Sequence, residues 1–311
     1  MSAVEQIFPL VPRRPLLGVS YAAMRSARRG VGSDIAGSRA YRSGDNVDTI
    51  DWAASARLSS ASGLDEFIVR ERFADEAPWV VVLADRRPSM SLFPEPFPWL
   101  RKWEALEHAV DIVLRSALAA RSLPAYLDFA DGEPYWRAPR GRRDLWQGEE
   151  RARFGAPDDT IALGLERLTL QRPALPLGSF IFVLSDFLAP PPRDSWLETV
   201  ERGWDVIPVV IQDPTWERSF PDVSGIAIPY VDLSVGETGR VRLSRREARA
   251  RREENERRHR ELLAGFEELG LEAVLLERSD GQSVHATFID WAERRRGGTR
   301  ALEPPRGAGA A

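Results

Sequence analysis

The chain has 311 residues, 43% of them hydrophobic and 29% charged, enough to bury one large core or two smaller ones. It contains no cysteine, which excludes a disulfide framework, cysteine-ligated zinc, iron–sulfur clusters and thiol catalysis. The formal charge of −4 argues against a nucleic-acid binder, and the basic residues are arginines apart from a single lysine, Lys102.

Residues 1–17 read as an N-terminal arm, two short apolar patches broken by Pro9, Pro12 and Pro15, neither fit for a signal peptide. No stretch reaches the ~20 apolar residues needed to span a bilayer, so a cytoplasmic protein without membrane insertion is expected. Residues 18–77 are rich in Arg, Gly, Ser and Asp, with short alternations such as Glu66–Arg70. They predict a small β-rich module that buries Tyr41, Ile50, Trp52 and Phe67, with Trp52 as a packing anchor. Asp45, Asp51 and Arg57 are expected to supply its docking ion pairs.

The pattern changes at Pro78. Trp79–Ala84 is a continuous apolar run ending at Asp85, as in a strand buried on both faces. From Trp103 to Arg121, Leu106, Val110, Val113, Leu114 and Leu118 recur at helical spacing. Ala125–Phe129 reads as a strand, and Thr160–Leu170 as a helix with Asp158 or Asp159 near its start. Phe180–Leu184 is a second buried strand, again ending near an acid, Asp186. Ser195–Arg202 reads as helix and Trp204–Ile211 as strand. This alternation predicts an α/β domain over residues 78–295, built on a doubly wound, mostly parallel sheet.

Turn residues between Pro214 and Gly239 suggest a hairpin excursion off that sheet. Residues 244–269 predict a long charged helix opening on the capping-box pair Ser244 and Glu247. Its first half reads as a solvated face of helical ion pairs, leaving Leu262, Leu263, Phe266 and Leu269 to be buried. Leu271–Leu276 is expected to be the last strand and Ser283–Arg294 the last helix, and the Gly/Pro/Arg-rich residues 296–311 read as a disordered tail.

Common catalytic signatures are missing. Lys102 follows Arg101 rather than glycine, so there is no P-loop. Gly30 and Gly32 lack the third glycine of a dinucleotide fingerprint, and no serine sits in a nucleophile elbow. His108, His259 and His285 are far apart, and none belongs to an H-E-x-x-H pair.

What remains is a pair of acids. Asp85 and Asp186 follow two core strands, and in an open α/β sheet such strand ends line the ligand crevice. Ser89 and Thr160 add hydroxyls, and together these are hard oxygen donors suited to Mg²⁺. The plain alternative is that both acids are ordinary loop residues following strands.

Several blocks resemble the bacterial family called domain of unknown function 58. They are Gly30–Asp34, Arg39–Asp45, Thr49–Arg57 with its Ile50-Asp51-Trp52, and Val80–Asp85 followed by Ser89 and Met90. Ser185-Asp186-Phe187 and Gln212-Asp213-Pro214 fit the same pattern, and the resemblance runs from about residue 18 to residue 295. It implies a von Willebrand factor A-like domain without enzymatic activity. It also implies a MoxR-type AAA+ ATPase as partner, in protein assembly or maturation, with an unidentified client protein. In that fold a metal-ion-dependent adhesion site takes an Asp-x-Ser-x-Ser loop, a distant threonine and a distant aspartate. By position these become Asp85, Ser89, Thr160 and Asp186, but Arg87 stands where the middle serine belongs.

Arginine there removes a neutral ligand and adds a permanent charge. At ~4 Å and an effective dielectric of ~20, its attraction to each acid is ~4 kcal/mol before desolvation. Two readings follow. In one, Arg87, with Arg86 also within reach of the acids, replaces the ion, so that Mg²⁺ binds weakly or not at all and a partner's carboxylate pairs with the guanidinium. In the other, Arg87 swings into solvent and the remaining four residues hold a metal. The expected function is a non-enzymatic adaptor that binds a partner at Asp85, Arg87, Ser89, Thr160 and Asp186. The alternative is a metal-assisted hydrolase using Asp85 and Asp186.

Overall fold

The computed structural model describes residues 6–13, 35–41, 50–62, 67–72, 79–92, 100–138, 151–223, 225, 227–232 and 237–302. The chain divides into two compact units, residues 14–78 and the remainder.

In the smaller unit, β1 (Ile35–Ala40) pairs antiparallel with β2 (Ile68–Arg72). Helix α1 (Trp52–Ser62) intervenes, so the described residues of this unit hold a helix beside the expected strands. The helix starts where it does because Asp51 Oδ1 accepts from Ala54 N at 3.0 Å, which satisfies one of the free amides of its first turn. Ser55 Oγ accepts from Ile68 N at 2.8 Å and ties α1 to β2. Trp52 is not an anchor: it lies edge-on to Phe67 at 5.9 Å and is 60% exposed. Arg57 Nε donates to Ala53 O of its own helix, and Asp45 lies outside the described residues.

The larger unit is an α/β domain. β3 (Trp79–Ala84), β4 (Leu123–Asp128), β6 (Phe180–Ser185), β7 (Asp205–Ile211) and β10 (Val274–Leu276) run parallel, and the short β5 (Tyr135–Arg137) closes one edge antiparallel. The sheet order is β10-β7-β6-β3-β4-β5. β3 is the pivot, because the chain winds outward to β4 and β5 on one side and then returns to lay β6, β7 and β10 on the other. This strand order fits a von Willebrand factor A-like α/β fold, and it puts the switch point between β3 and β6.

One face of the sheet is covered by α2 (Lys102–Ala119) and α6 (Gly281–Leu302), with Phe8 stacked on Phe288 at 4.7 Å and edge-on to Phe182 and Trp291. The arm thus belongs to this core. Phe8 N donates to Ser116 Oγ at 2.9 Å, and buried Arg295 donates to Val11 O at 3.1 Å and Asp205 Oδ2 at 2.7 Å. α6 runs past the expected end of order, to Leu302; residues 303–311 lie outside the described set.

The opposite face packs Val81, Leu83, Ile181 and Val183 against α3 (Thr160–Thr169), α4 (Arg193–Glu201) and the end of α5 (Arg245–Glu268). Gly164 lets α3 lie close on β3, because a Cβ there would stand 2.5 Å from Leu83 Cδ1. Gly164→Ala should therefore overpack this interface and cost about 1–3 kcal/mol in a denaturant melt. An antiparallel hairpin, β8 (Ala227–Asp232) with β9 (Glu237–Arg242), precedes α5. No helix among the described residues is long and apolar enough to cross a membrane.

The charged helix α5 differs from its expected solvated face. Asn255 and His259 are buried along with Ala248 and Phe266, while Leu262 and Leu263 are only partly covered. Asn255 Nδ2 donates to Trp216 O and Ser219 O at 3.0 and 2.6 Å, so the polar side of the helix pins the loop after β7.

Candidate functional site

The site grows from the ends of β3 and β6. Asp85 N donates to Leu184 O at 2.9 Å, which continues the ladder by one bond and sets Asp85 beside Ser185 and Asp186. Both acids are fully buried. An isolated buried carboxylate is costly, so each requires a cation or several donors.

Arg87 meets that requirement for Asp85. Its Nε lies 3.1 and 2.9 Å from the two carboxylate oxygens, and Nη2 lies 2.6 Å from Oδ2, a forked pair. The same Nη2 reaches Ser185 Oγ at 3.2 Å and Asp186 Oδ1 at 3.4 Å, so one guanidinium spans both acids. Nη1 donates to Asp158 O and Ala189 O at 3.3 and 3.1 Å. Ser185 Oγ donates to Asp85 Oδ2 at 2.6 Å and accepts from Phe187 N at 2.9 Å. Phe187 takes φ +47°, an uncommon left-handed conformation for a bulky residue, and Leu188 N then donates back to Asp186 Oδ1 at 3.1 Å.

Asp186 has a second cation that sequence reading missed. Lys102, the first residue of α2, is 3% exposed and donates to Asp186 Oδ2 at 2.9 Å and Glu217 Oε1 at 2.6 Å. Glu217 comes from the loop after β7, where Asp213 N donates to its Oε2 at 2.8 Å. Asp213 is itself held by Leu100 N, Thr215 N and Trp216 N at 2.7, 2.8 and 2.9 Å. Gln212 Nε2 donates to Asp186 O at 2.6 Å, and His259 Nδ1 lies 3.0 Å from Gln212 Oε1. The result is a buried row of alternating charge: Asp85, Arg87, Asp186, Lys102, Glu217.

The protonation preferences follow from this row. Burial works against the charge of Lys102, but Asp186 and then Glu217 outweigh it and hold the ammonium above the ordinary lysine value. Burial likewise opposes the Arg87 charge, and Asp85 overcomes it. Asp186 is held below the usual carboxylate range despite burial, by Lys102 and then Arg87. Glu217 is pushed up, chiefly by burial, with Lys102 opposing and the charge of Asp186 adding to the rise.

Of the five expected site residues, the structure joins Asp85, Arg87 and Asp186. Ser89 and Thr160 are buried at the same end of the sheet but make no hydrogen bond to the acids. Thr160 Oγ1 has no partner among the described residues. Arg86 points elsewhere, to Glu107 at 2.6 Å and to Tyr126, whose hydroxyl donates to Asp128 Oδ2 at 2.7 Å, where Arg151 also binds. Burial raises the Tyr126 phenol well above its usual value, so it stays a donor.

Arg87 is not in solvent. Nor does it offer a hydrogen to an incoming carboxylate, because Asp85, Ser185, Asp186 and the carbonyls of Asp158 and Ala189 already engage its five N–H groups. The donor set does not fit a divalent ion either. Every oxygen of Asp85 and Asp186 accepts from an N–H or O–H group, and two fixed cations stand where a third would have to enter. Among the described residues no group of three or more acids or histidines is placed to hold a metal.

Residues 37–262 match a family model described as "Protein of unknown function DUF58". Among solved structures, the conserved hypothetical protein BatB from Bacteroides thetaiotaomicron is similar at 14% identity and TM-score 0.36, covering 70% of this chain and 100% of its own. An aerotolerance-related membrane protein from Bacteroides fragilis NCTC 9343, solved with multiple mutations to serines, is similar at 13% identity and TM-score 0.37, with the same coverage of 70% and 100%. No curated protein matches.

Proposed function

The chain belongs to the DUF58 family, and from that premise we propose that it is a non-catalytic interaction protein whose crevice works without a metal ion. The observation that carries this reading is the single guanidinium of Arg87, forked onto Asp85 and reaching Asp186. Arg87 fills the ion's place from within the chain, and Lys102 neutralises the far side of Asp186. The loops after β3, β6 and β7 are thereby fixed before any partner arrives. Such preorganisation lowers the ordering cost of association.

The same saturation speaks against a hydrolase built on Asp85 and Asp186. A general base or an ion-binding carboxylate needs an oxygen open to substrate, and here both carboxylates are closed by donors. In our reading the working partner is a MoxR-type AAA+ ATPase, as the resemblance implies, together with a client protein. The partner reads the rim of the crevice rather than completing a coordination sphere.

Metal titration tests the central claim. Millimolar MgCl₂ or MnCl₂ should leave the melting temperature of the wild-type protein unchanged, since only a ligand that binds the folded state raises it. Pull-down of the cognate AAA+ ATPase should be equally efficient in EDTA. A metal-dependent rise in the melting temperature, or complex formation abolished by EDTA in the absence of nucleotide, overturns the proposal.

A further inference from the structure

A second surface lies on β9 and the start of α5. Between Arg240 and Arg252 there are seven arginines and one glutamate, a local charge of +6 in a chain whose total is −4. The sole acid of that stretch is engaged locally: Ser244 N donates to Glu247 Oε2 at 2.8 Å and Glu247 N to Ser244 Oγ at 3.3 Å, closing the capping box. Arg240, Arg242, Arg245, Arg246, Arg249 and Arg251 are all exposed. Among the described residues, Arg249 pairs with Glu253 at 2.9 Å, whereas Arg240, Arg242, Arg245 and Arg246 make no ion pair.

The rest of the same helix looks different. Arg257 is flanked by Glu254 at 2.6 Å and Glu261 at 2.9 Å, an ordinary solvated ladder. The first turns of a helix are where its dipole disfavours cations and favours acids. Arg245 and Arg249 are also like charges one turn apart, which is unfavourable by itself. The sequence therefore accepts an electrostatic cost at this corner that an anionic partner would relieve.

We propose that the corner formed by β9 and the start of α5 docks a short acidic segment of a partner protein. With +6 at this corner, the other residues of the chain sum to −10, so a long polyanion or an anionic membrane would meet repulsion beyond the patch. A short run of Asp or Glu needs only the patch. The arginine forks suit bidentate pairing with its carboxylates. This surface is independent of the crevice reading, and either can fail without the other.

Fluorescence anisotropy with a labelled deca-glutamate peptide, in about 50 mM salt so that screening is weak, provides the test. The triple variant Arg242→Glu, Arg246→Glu, Arg249→Glu should bind at least about tenfold more weakly than wild type. Arg257→Glu with Arg260→Glu, further along the helix, should change affinity less than about twofold, being outside the patch. Separately, Arg245→Glu with Arg246→Glu should raise the melting temperature by about 1–3 °C while weakening the peptide, because acids suit a helix start. The inference is overturned if wild type fails to bind the peptide, if the distal control loses as much, or if the melting temperature falls. A DNA duplex of about 20 base pairs, or phosphatidylglycerol vesicles, binding more tightly than the peptide would equally overturn it.

Discussion

Replacing Arg87 with alanine should cost about 3–5 kcal/mol of stability, because it leaves buried Asp85 with no cation and Asp186 with one fewer. Thermal unfolding would show this as a fall of about 10 °C. Arg87→Ser is the more informative change. In chelator it should be as unstable as the alanine variant. In Mg²⁺ it should recover part of the loss, since the restored Asp-x-Ser-x-Ser loop would bind the ion in the folded state alone; saturation a hundredfold above Kd is worth about 2.7 kcal/mol. A loss below about 1 kcal/mol for Arg87→Ala, a typical figure for an exposed pair, would mean that the guanidinium does not compensate the acids.

Lys102→Met should be comparably damaging, about 3–5 kcal/mol near neutral pH, because it strips the ammonium from buried Asp186 and part-buried Glu217 at once. Its pH dependence separates it from a simple packing defect. Lys102 is held above the ordinary lysine value, so its contribution is complete below about pH 10.4 and is lost as pH rises through the higher folded value. Asp186 is held low, so its share is complete above about pH 3.9 and is lost as pH falls through the lower folded value. Glu217 runs the other way: its charge is disfavoured in the folded state, so mild acid relieves it. The deficit of Lys102→Met should accordingly shrink from neutral pH toward about pH 4, as the stranded Glu217 takes up a proton. Denaturant melts across that range measure it, and a deficit independent of pH would show that Lys102 acts through its methylenes rather than its charge.

The sheet was legible because its signals are local. Trp79–Ala84 and Phe180–Leu184 are apolar runs without interruption, and each leads to an acid at a loop. That the two strands lie side by side is a matter of crossover topology, which the order of strands and helices already constrains. Arg87 stood out because the resemblance leads one to expect a serine there.

Lys102 and Glu217 were invisible for a different reason. They lie 84 residues before and 31 residues after Asp186, and no periodicity links them to it. One hint was available: a lone lysine in an arginine-rich chain, at a helix start where cations are disfavoured, needs an acid close by. Asn255 and His259 were hidden by composition, since a helix dense in Arg and Glu reads as solvated even when one stripe grips a loop. α1 was missed because short strand-like alternations flank it, and β5 because three residues carry no pattern.

The burial of Lys102 has a practical side. In the folded protein the single lysine of this sequence is closed to acylating reagents, to amine-specific crosslinkers and to enzymes that tag lysines. Labelling of Lys102 therefore reports opening of the crevice itself, so a routine acetylation experiment doubles as a probe of local unfolding at this end of the sheet.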